Sequence, residues 1–137
     1  GVALLDITGF SRFEVKGENA EAWLDKIFAT KLPKPGRARL AVMLSSSGKL
    51  KGDLTLLNWG DGTFWIMGSY YLRAWHMRWF NDQMQDGVSV RDLGDDICGF
   101  ALIGPNSQFI LQKVAEGDVS KMRFMDCKRL DIGLIQF

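Results

Sequence analysis

The chain holds 137 residues, 47% of them apolar and 24% charged, with 17 Lys and Arg against 16 Asp and Glu for a net charge of +1. That balance fits one folded domain and excludes extensive disorder, while a pI near 8.0 excludes the strongly basic face of a dedicated nucleic-acid binder. Cys98 and Cys127 suit neither a disulfide framework nor a paired-Cys zinc site, so a reducing compartment is expected, and no apolar run nears the roughly 20 residues of a membrane span.

The first element is a half-buried strand, in which Phe13 and Val15 point one way and Arg12, Glu14 and Lys16 the other. Gly17 ends it. Glu18 to Thr30 then carries Ala20, Trp23, Leu24, Ile27 and Phe28 on one stripe of a helix, and Pro33-Lys34-Pro35-Gly36 forces an extended turn. Two hairpins follow: Arg37 to Leu44, the polar turn Ser45-Ser46-Ser47-Gly48, Lys49 to Trp59, the turn Gly60-Asp61-Gly62, and Thr63 to Met67. Tyr70 to Gln85 reads as a second helix with Leu72, Trp75, Trp79 and Phe80 on one side, stopped by Gly87. Val88 to Arg91 and Cys98 to Ile103 are short strands. Asn106 is placed to cap a third helix, Ser107 to Ala115, and Met122 to Phe137 reads as one or two further strands. No regular strand-helix-strand repeat appears, so the fold class is α+β, with largely antiparallel sheets and flanking helices. The chain opens without Met at Gly1 and closes inside the apolar run Ile132 to Phe137, an unpaired apolar edge that points to a stretch of a longer chain; its start lacks the layout of a signal peptide.

Ser45-Ser46-Ser47-Gly48-Lys49 lacks the earlier Gly and the final Ser or Thr of a phosphate-binding loop and reads as a hairpin turn. His76 is the single histidine, which removes most nucleophilic triads and metal sites; between Leu72 and Phe80 it reads as a core-edge side chain. Tyr70, Tyr71, Trp75 and Trp79 with Arg73 and Arg78 could stack bases, but such a stripe is more often core with arginines reaching outward. Asp53 follows Gly52 and opens the run Leu54-Thr55-Leu56-Leu57. On the buried face its pKa would rise and it would attract a cation; if Leu54 and Leu56 face the core, it faces out with Thr55.

Four segments in order carry a resemblance: Asp6-Ile7-Thr8-Gly9-Phe10 with Phe13-Glu14-Val15-Lys16-Gly17; Pro35-Gly36-Arg37-Ala38 with Met43-Leu44, Gly48 and Gly52-Asp53-Leu54; Arg73 with Trp79 after the Phe64-to-Ser69 strand; and Leu102-Ile103-Gly104-Pro105. Together they resemble the folate-binding aminomethyltransferase family, the T-protein of the glycine cleavage system and its relatives, over essentially the whole chain. The nearest likeness is to the folate-binding part of dimethylglycine and sarcosine dehydrogenases.

The resemblance implies the first part, residues 1–137, of a T-protein-like folate-binding domain in a longer protein. That protein would use tetrahydrofolate, with FAD possible in an upstream domain, and would act on a small N-methyl amine. It implies a cytoplasmic location, or the mitochondrial matrix in a eukaryote, and neither a metal site nor nucleic-acid or membrane partners. It places Asp53 beside the reacting nitrogens of tetrahydrofolate, where a semi-buried carboxylate stabilises developing positive charge and helps move a proton. Phe10, Leu40, Leu57, Gly68, Ser69 and Tyr70 would bind the folate. Gly52 stands where the family often has a first Asp, Leu40 where T-proteins often have Tyr, and Ser69 where they often have Asn. Alternatives are a glycine cleavage aminomethyltransferase or sulfur-compound demethylase of the same family, a folate-binding maintenance factor without transfer activity, or an interaction module with exposed Trp75 and Trp79.

Overall fold

A computed structural model describes residues 1–133 of the chain and the backbone of residues 135 and 136. In chain order the elements are β1 (Ala3–Asp6), β2 (Ser11–Lys16), α1 (Ala20–Ile27), β3 (Arg37–Leu44), β4 (Leu50–Asn58), β5 (Phe64–Gly68), a 3₁₀ turn (Tyr70–Leu72), α2 (Arg73–Asp82), β6 (Ser89–Asp92), β7 (Phe100–Ile103), α3 (Ser107–Val114), β8 (Ala115–Glu116), β9 (Asp131–Ile132) and β10 (Ile135–Gln136).

The period-2 pattern of β2 and the hairpins builds one antiparallel sheet in the order β3-β4-β5-β2-β6. Its inner face presents Ala41, Met43, Leu54, Leu56, Phe64, Ile66, Phe13 and Val15 to Ala20, Trp23, Leu24 and Ile27 of α1 and to Phe80 of α2. Phe80 meets Phe13 and Trp23 edge-on, with ring centroids 5.2 Å and 6.0 Å away, the geometry aromatic quadrupoles favour. The Trp23 indole N–H donates to the Gln83 carbonyl at 2.7 Å, so the polar tip of this core residue is satisfied. A separate ribbon pairs β1 with β7, and β8, β9 and β10 form a small third sheet. The α+β class with antiparallel sheets is therefore the observed one.

The turns follow their residues. Gly60 and Gly62 take positive φ of 84° and 82°, a region that glycine enters at little cost. At the serine turn Gly48 has φ 75°, the Ser45 N–H donates to the Lys49 carbonyl at 2.8 Å, and the Lys49 N–H donates to Ser45 Oγ at 3.1 Å. Those bonds are those of a hairpin turn.

Several expectations are corrected. Arg12 does not face solvent with Glu14 and Lys16 but is 3% exposed, because carbonyls of the preceding loop absorb its guanidinium. Ala3–Asp6, unforeseen, is a strand because Phe100–Ile103 pairs with it. The expected helix over residues 70–85 starts with a 3₁₀ turn and ends at Asp82, so its buried positions are His76 and Phe80 while Leu72 is exposed. Trp75 and Trp79 lie partly buried against the core, stacked on each other 6.2 Å apart with Lys51 above both rings. Asn106 precedes α3 but its side chain caps nothing, and no residue of α3 is buried. Residues 122–130 are irregular rather than strand. Leu134 and Phe137, within the last expected strand, lie outside the described residues.

Candidate functional site

Alternation on β4 settles which way Asp53 looks. Gly52, Leu54, Leu56 and Asn58 are buried on the inner face, so Asp53, Thr55 and Leu57 occupy the outer one. Pairing extends this face sideways. Leu40 pairs with Thr55, Thr55 with Met67 and Met67 with Arg12, forming one row across β3, β4, β5 and β2. One row further along, Val42 pairs with Asp53, and the same register carried past the end of β5 sets Asp53 opposite Ser69 and Ser69 opposite Phe10.

These two rows floor a hollow of about 360 Å³ lined by Ile7, Phe10, Leu40, Asp53, Leu54, Thr55, Met67, Gly68 and Ser69. Its floor is apolar. Phe10 and Leu40 rise at either side, 46% and 60% exposed, and the carboxylate of Asp53 stands at the strand end. That carboxylate is exposed rather than semi-buried, because it stands on the outer face of β4 near the strand's start, and it receives no hydrogen bond or ion pair among the described residues, so both oxygens are free for a ligand. A size within the roughly 300–1,000 Å³ of small-molecule sites, an apolar base and one unengaged anion suit a small, partly cationic molecule.

Five of the residues singled out from sequence thus meet at one place: Asp53, Phe10, Leu40, Gly68 and Ser69. Leu57 does not reach it. It lines an adjoining hollow of about 480 Å³ that shares Ile7 and Met67 with the first and continues over Trp59, Trp65, Cys98 and Phe100. Tyr70 lines neither; it opens the 3₁₀ turn after Ser69, 59% exposed.

Known proteins share this fold. The family described as GCVT N-terminal domain matches residues 1–137. The chain belongs to that family. The GCVT N-terminal domain is that of folate-dependent aminomethyltransferases. Human mitochondrial dimethylglycine dehydrogenase is 27% identical over 139 residues, covering 98% of this chain and 16% of that protein. Among solved structures, the glycine cleavage system aminomethyltransferase T of Bartonella henselae superposes with a TM-score of 0.81 at 20% identity, over 91% of this chain and 35% of that one. The heterotetrameric sarcosine oxidase of Corynebacterium sp. U-96, in complex with pyrrole 2-carboxylate, gives 0.73 at 18% identity, over 98% and 67%. The chain therefore spans about a sixth of the human relative's length.

Within this GCVT N-terminal domain, four lining residues and one support escaped the sequence. Thr55 was accessible through its alternation with Asp53; Leu54, Met67 and Ile7 needed the register and the loop. Arg12 is the support. Its Nη1 donates to the carbonyls of Thr8 and Phe10 at 3.0 and 2.9 Å, and its Nη2 to that of Ile7 at 2.9 Å. One guanidinium thus holds the loop that carries Ile7 and Phe10 to the hollow. Burial pushes its pKa below the usual value, partly offset by Cys98 and Asp6. A Cβ on Gly99 would stand 1.8 Å from Arg12 Nη2, so glycine there leaves room for the strut. Asp6 completes the loop by accepting the Thr8 N–H at 2.8 Å, the chief cause of its lowered pKa.

Proposed function

We propose that this chain is part of a tetrahydrofolate-dependent enzyme that moves the methyl-derived one-carbon unit of an N-methyl amine, of dimethylglycine or sarcosine type, onto tetrahydrofolate. The observation that carries this is the convergence of Asp53, Phe10, Leu40, Gly68 and Ser69 on one hollow in a chain of the GCVT N-terminal domain family. Bound tetrahydrofolate would supply the nitrogens that accept the carbon. The residues fit such a guest: Thr55 and Met67 offer a flat floor, Phe10 and Leu40 apolar walls, and Ser69 a hydroxyl.

Asp53 is the catalytic residue in this reading. An unengaged carboxylate at the edge of an apolar floor stabilises positive charge developing beside it and exchanges a proton with the amine or with water. Leu57 serves the part of the folate that runs into the adjoining hollow, and Tyr70 the rim. The oxidation that frees the methyl-derived carbon is assigned to an FAD domain outside residues 1–137. The amine-dehydrogenase branch is favoured by the human relative, whose description as mitochondrial is in keeping with the matrix location the reading assigns in a eukaryote; the cytoplasmic location otherwise is part of the same reading. No helix among the described residues is long and apolar enough to cross a membrane.

The test is isothermal titration of the full-length protein with tetrahydrofolate, beside turnover of Asp53→Asn. The folate affinity is expected to hold while turnover falls about 10²–10⁴-fold, the usual worth of a positioned acid–base group. Unchanged turnover and product distribution would remove Asp53 from the mechanism, and absence of folate binding would overturn the reading.

A further inference from the structure

The ribbon of β1 and β7 lies open. Every residue of β1 is exposed, Leu4 by 66% and Leu5 by 55%, and on β7 Phe100 and Ile103 are 54% and 56% exposed. Residues paired across an antiparallel ribbon share a face, which puts Leu4, Leu102 and Phe100 on one side and Leu5, Ala101 and Ile103 on the other. Both faces are apolar. Ala3-Leu4-Leu5 and Phe100-Ala101-Leu102-Ile103 are continuous apolar runs, the pattern of strands covered on two sides, whereas β4 of the main sheet alternates. A two-stranded ribbon is marginal on its own in water.

The open surface continues onto α3, which follows β7 after the turn Gly104-Pro105-Asn106 and has no buried residue; Phe109 is 59% exposed. An exposed apolar surface of this breadth marks an interface. A second copy docked through one flat contact would cover one face of the ribbon and leave the other open, whereas polypeptide continuous with the chain can wrap both. Such polypeptide is ample in longer relatives: the matched part is 35% of the Bartonella henselae protein, and the family is described as an N-terminal domain, with the balance after it. Its starting point is close. β8 follows α3 directly, and β9 and β10 extend that small sheet, so residues 135 and 136 run about 10 Å from the C-terminal end of α3.

We propose that β1, β7 and α3 form the docking surface for the protein's own polypeptide following residue 137, which covers both faces of the ribbon. The consequence reaches the candidate site along the chain. β1 runs into the loop that carries Ile7 and Phe10 to the hollow, and the Ile7 N–H donates to the Gly99 carbonyl beside β7 at 2.8 Å, so anchoring the ribbon anchors that loop. The docking surface stands whether or not the hollow takes a folate.

Native full-length protein carrying Leu4→Cys or Ile103→Cys, one position on each face, is labelled with a maleimide and compared with the same thiols in urea-unfolded protein. Peptide mass spectrometry separates these thiols from Cys98 and Cys127. Both are expected to label more than about tenfold slower in the native state; a rate within about twofold of the unfolded one at either position overturns the two-sided cover. The occupant is identified with photo-leucine incorporated into the unsubstituted full-length protein, in a mixture of isotope-labelled and unlabelled copies. Cross-links from Leu4 and Leu5 are expected into peptides beyond residue 137 of the same copy. Links between copies, links into polypeptide preceding Gly1, or no links at all overturn the assignment. This second measurement needs no substitution, so it decides the matter should a cysteine variant fail to fold.

Discussion

Arg12 shows how one side chain can organise a site it does not touch as a reactant. Its three bonds to the carbonyls of residues 7, 8 and 10 replace backbone partners that an irregular loop cannot supply itself. Arg12→Leu leaves those acceptors unsatisfied in a space built for a guanidinium. It is expected to cost about 2–4 kcal/mol, read as a lower urea midpoint, and to weaken folate binding by freeing Phe10. Sequence alternation put Arg12 on the outer face and that was right; its burial was hidden, because the carbonyls that absorb it belong to a loop with no periodicity. Asp53 was legible for the same reason that Arg12 was half-legible. Period-2 alternation sets Asp53 opposite Leu54 and Leu56 but leaves open which side is the core; the burial of Leu54 and Leu56 decides it, and the hollow on the outer face arises from Leu40 and Met67 on other strands.

Elements whose apolar spacing met a partner within the chain were foreseeable. The stripe of Ala20, Trp23, Leu24 and Ile27 is buried as its 3.6-residue period requires, and both hairpins fall where their glycines turn. The stretch from Tyr70 was misphased because a 3₁₀ turn advances the chain by three residues per turn. This rotates Leu72 outward and His76 inward, while Phe80 is buried as its spacing led one to expect. Helix α3 has apolar residues on a face that nothing among the described residues covers, with Phe109 59% exposed; periodicity marks such a face without naming what lies on it. At the strand ends, glycine is a packing requirement. A Cβ on Gly68 would stand 2.4 Å from Leu54 Cδ2, so Gly68→Ala is expected to cost about 1–3 kcal/mol, measured as a lower thermal midpoint.

At the scale of the whole molecule, the sheet divides two tasks between its faces: the inner face buries the core against α1 and α2, and the outer face carries the candidate site. The one histidine sits on the inner side, and it links stability to acidity. Its pKa in the folded chain lies below the ordinary 6.5. As pH falls through that ordinary value the unfolded chain takes up a proton that the folded chain refuses, so stability declines with falling pH. Above it, the neutral ring is common to both states and the effect vanishes. Denaturation midpoints between about pH 7 and 5 are expected to show this decline, and His76→Phe to flatten it. On the other face, a structure of the full-length protein bound to a reduced folate decides whether Asp53 works on the pterin. The pterin is expected to lie over Thr55 and Met67, between Phe10 and Leu40, with an Asp53 oxygen within about 3 Å of a pterin or one-carbon nitrogen. A folate held elsewhere, with Asp53 still facing solvent, would contradict it.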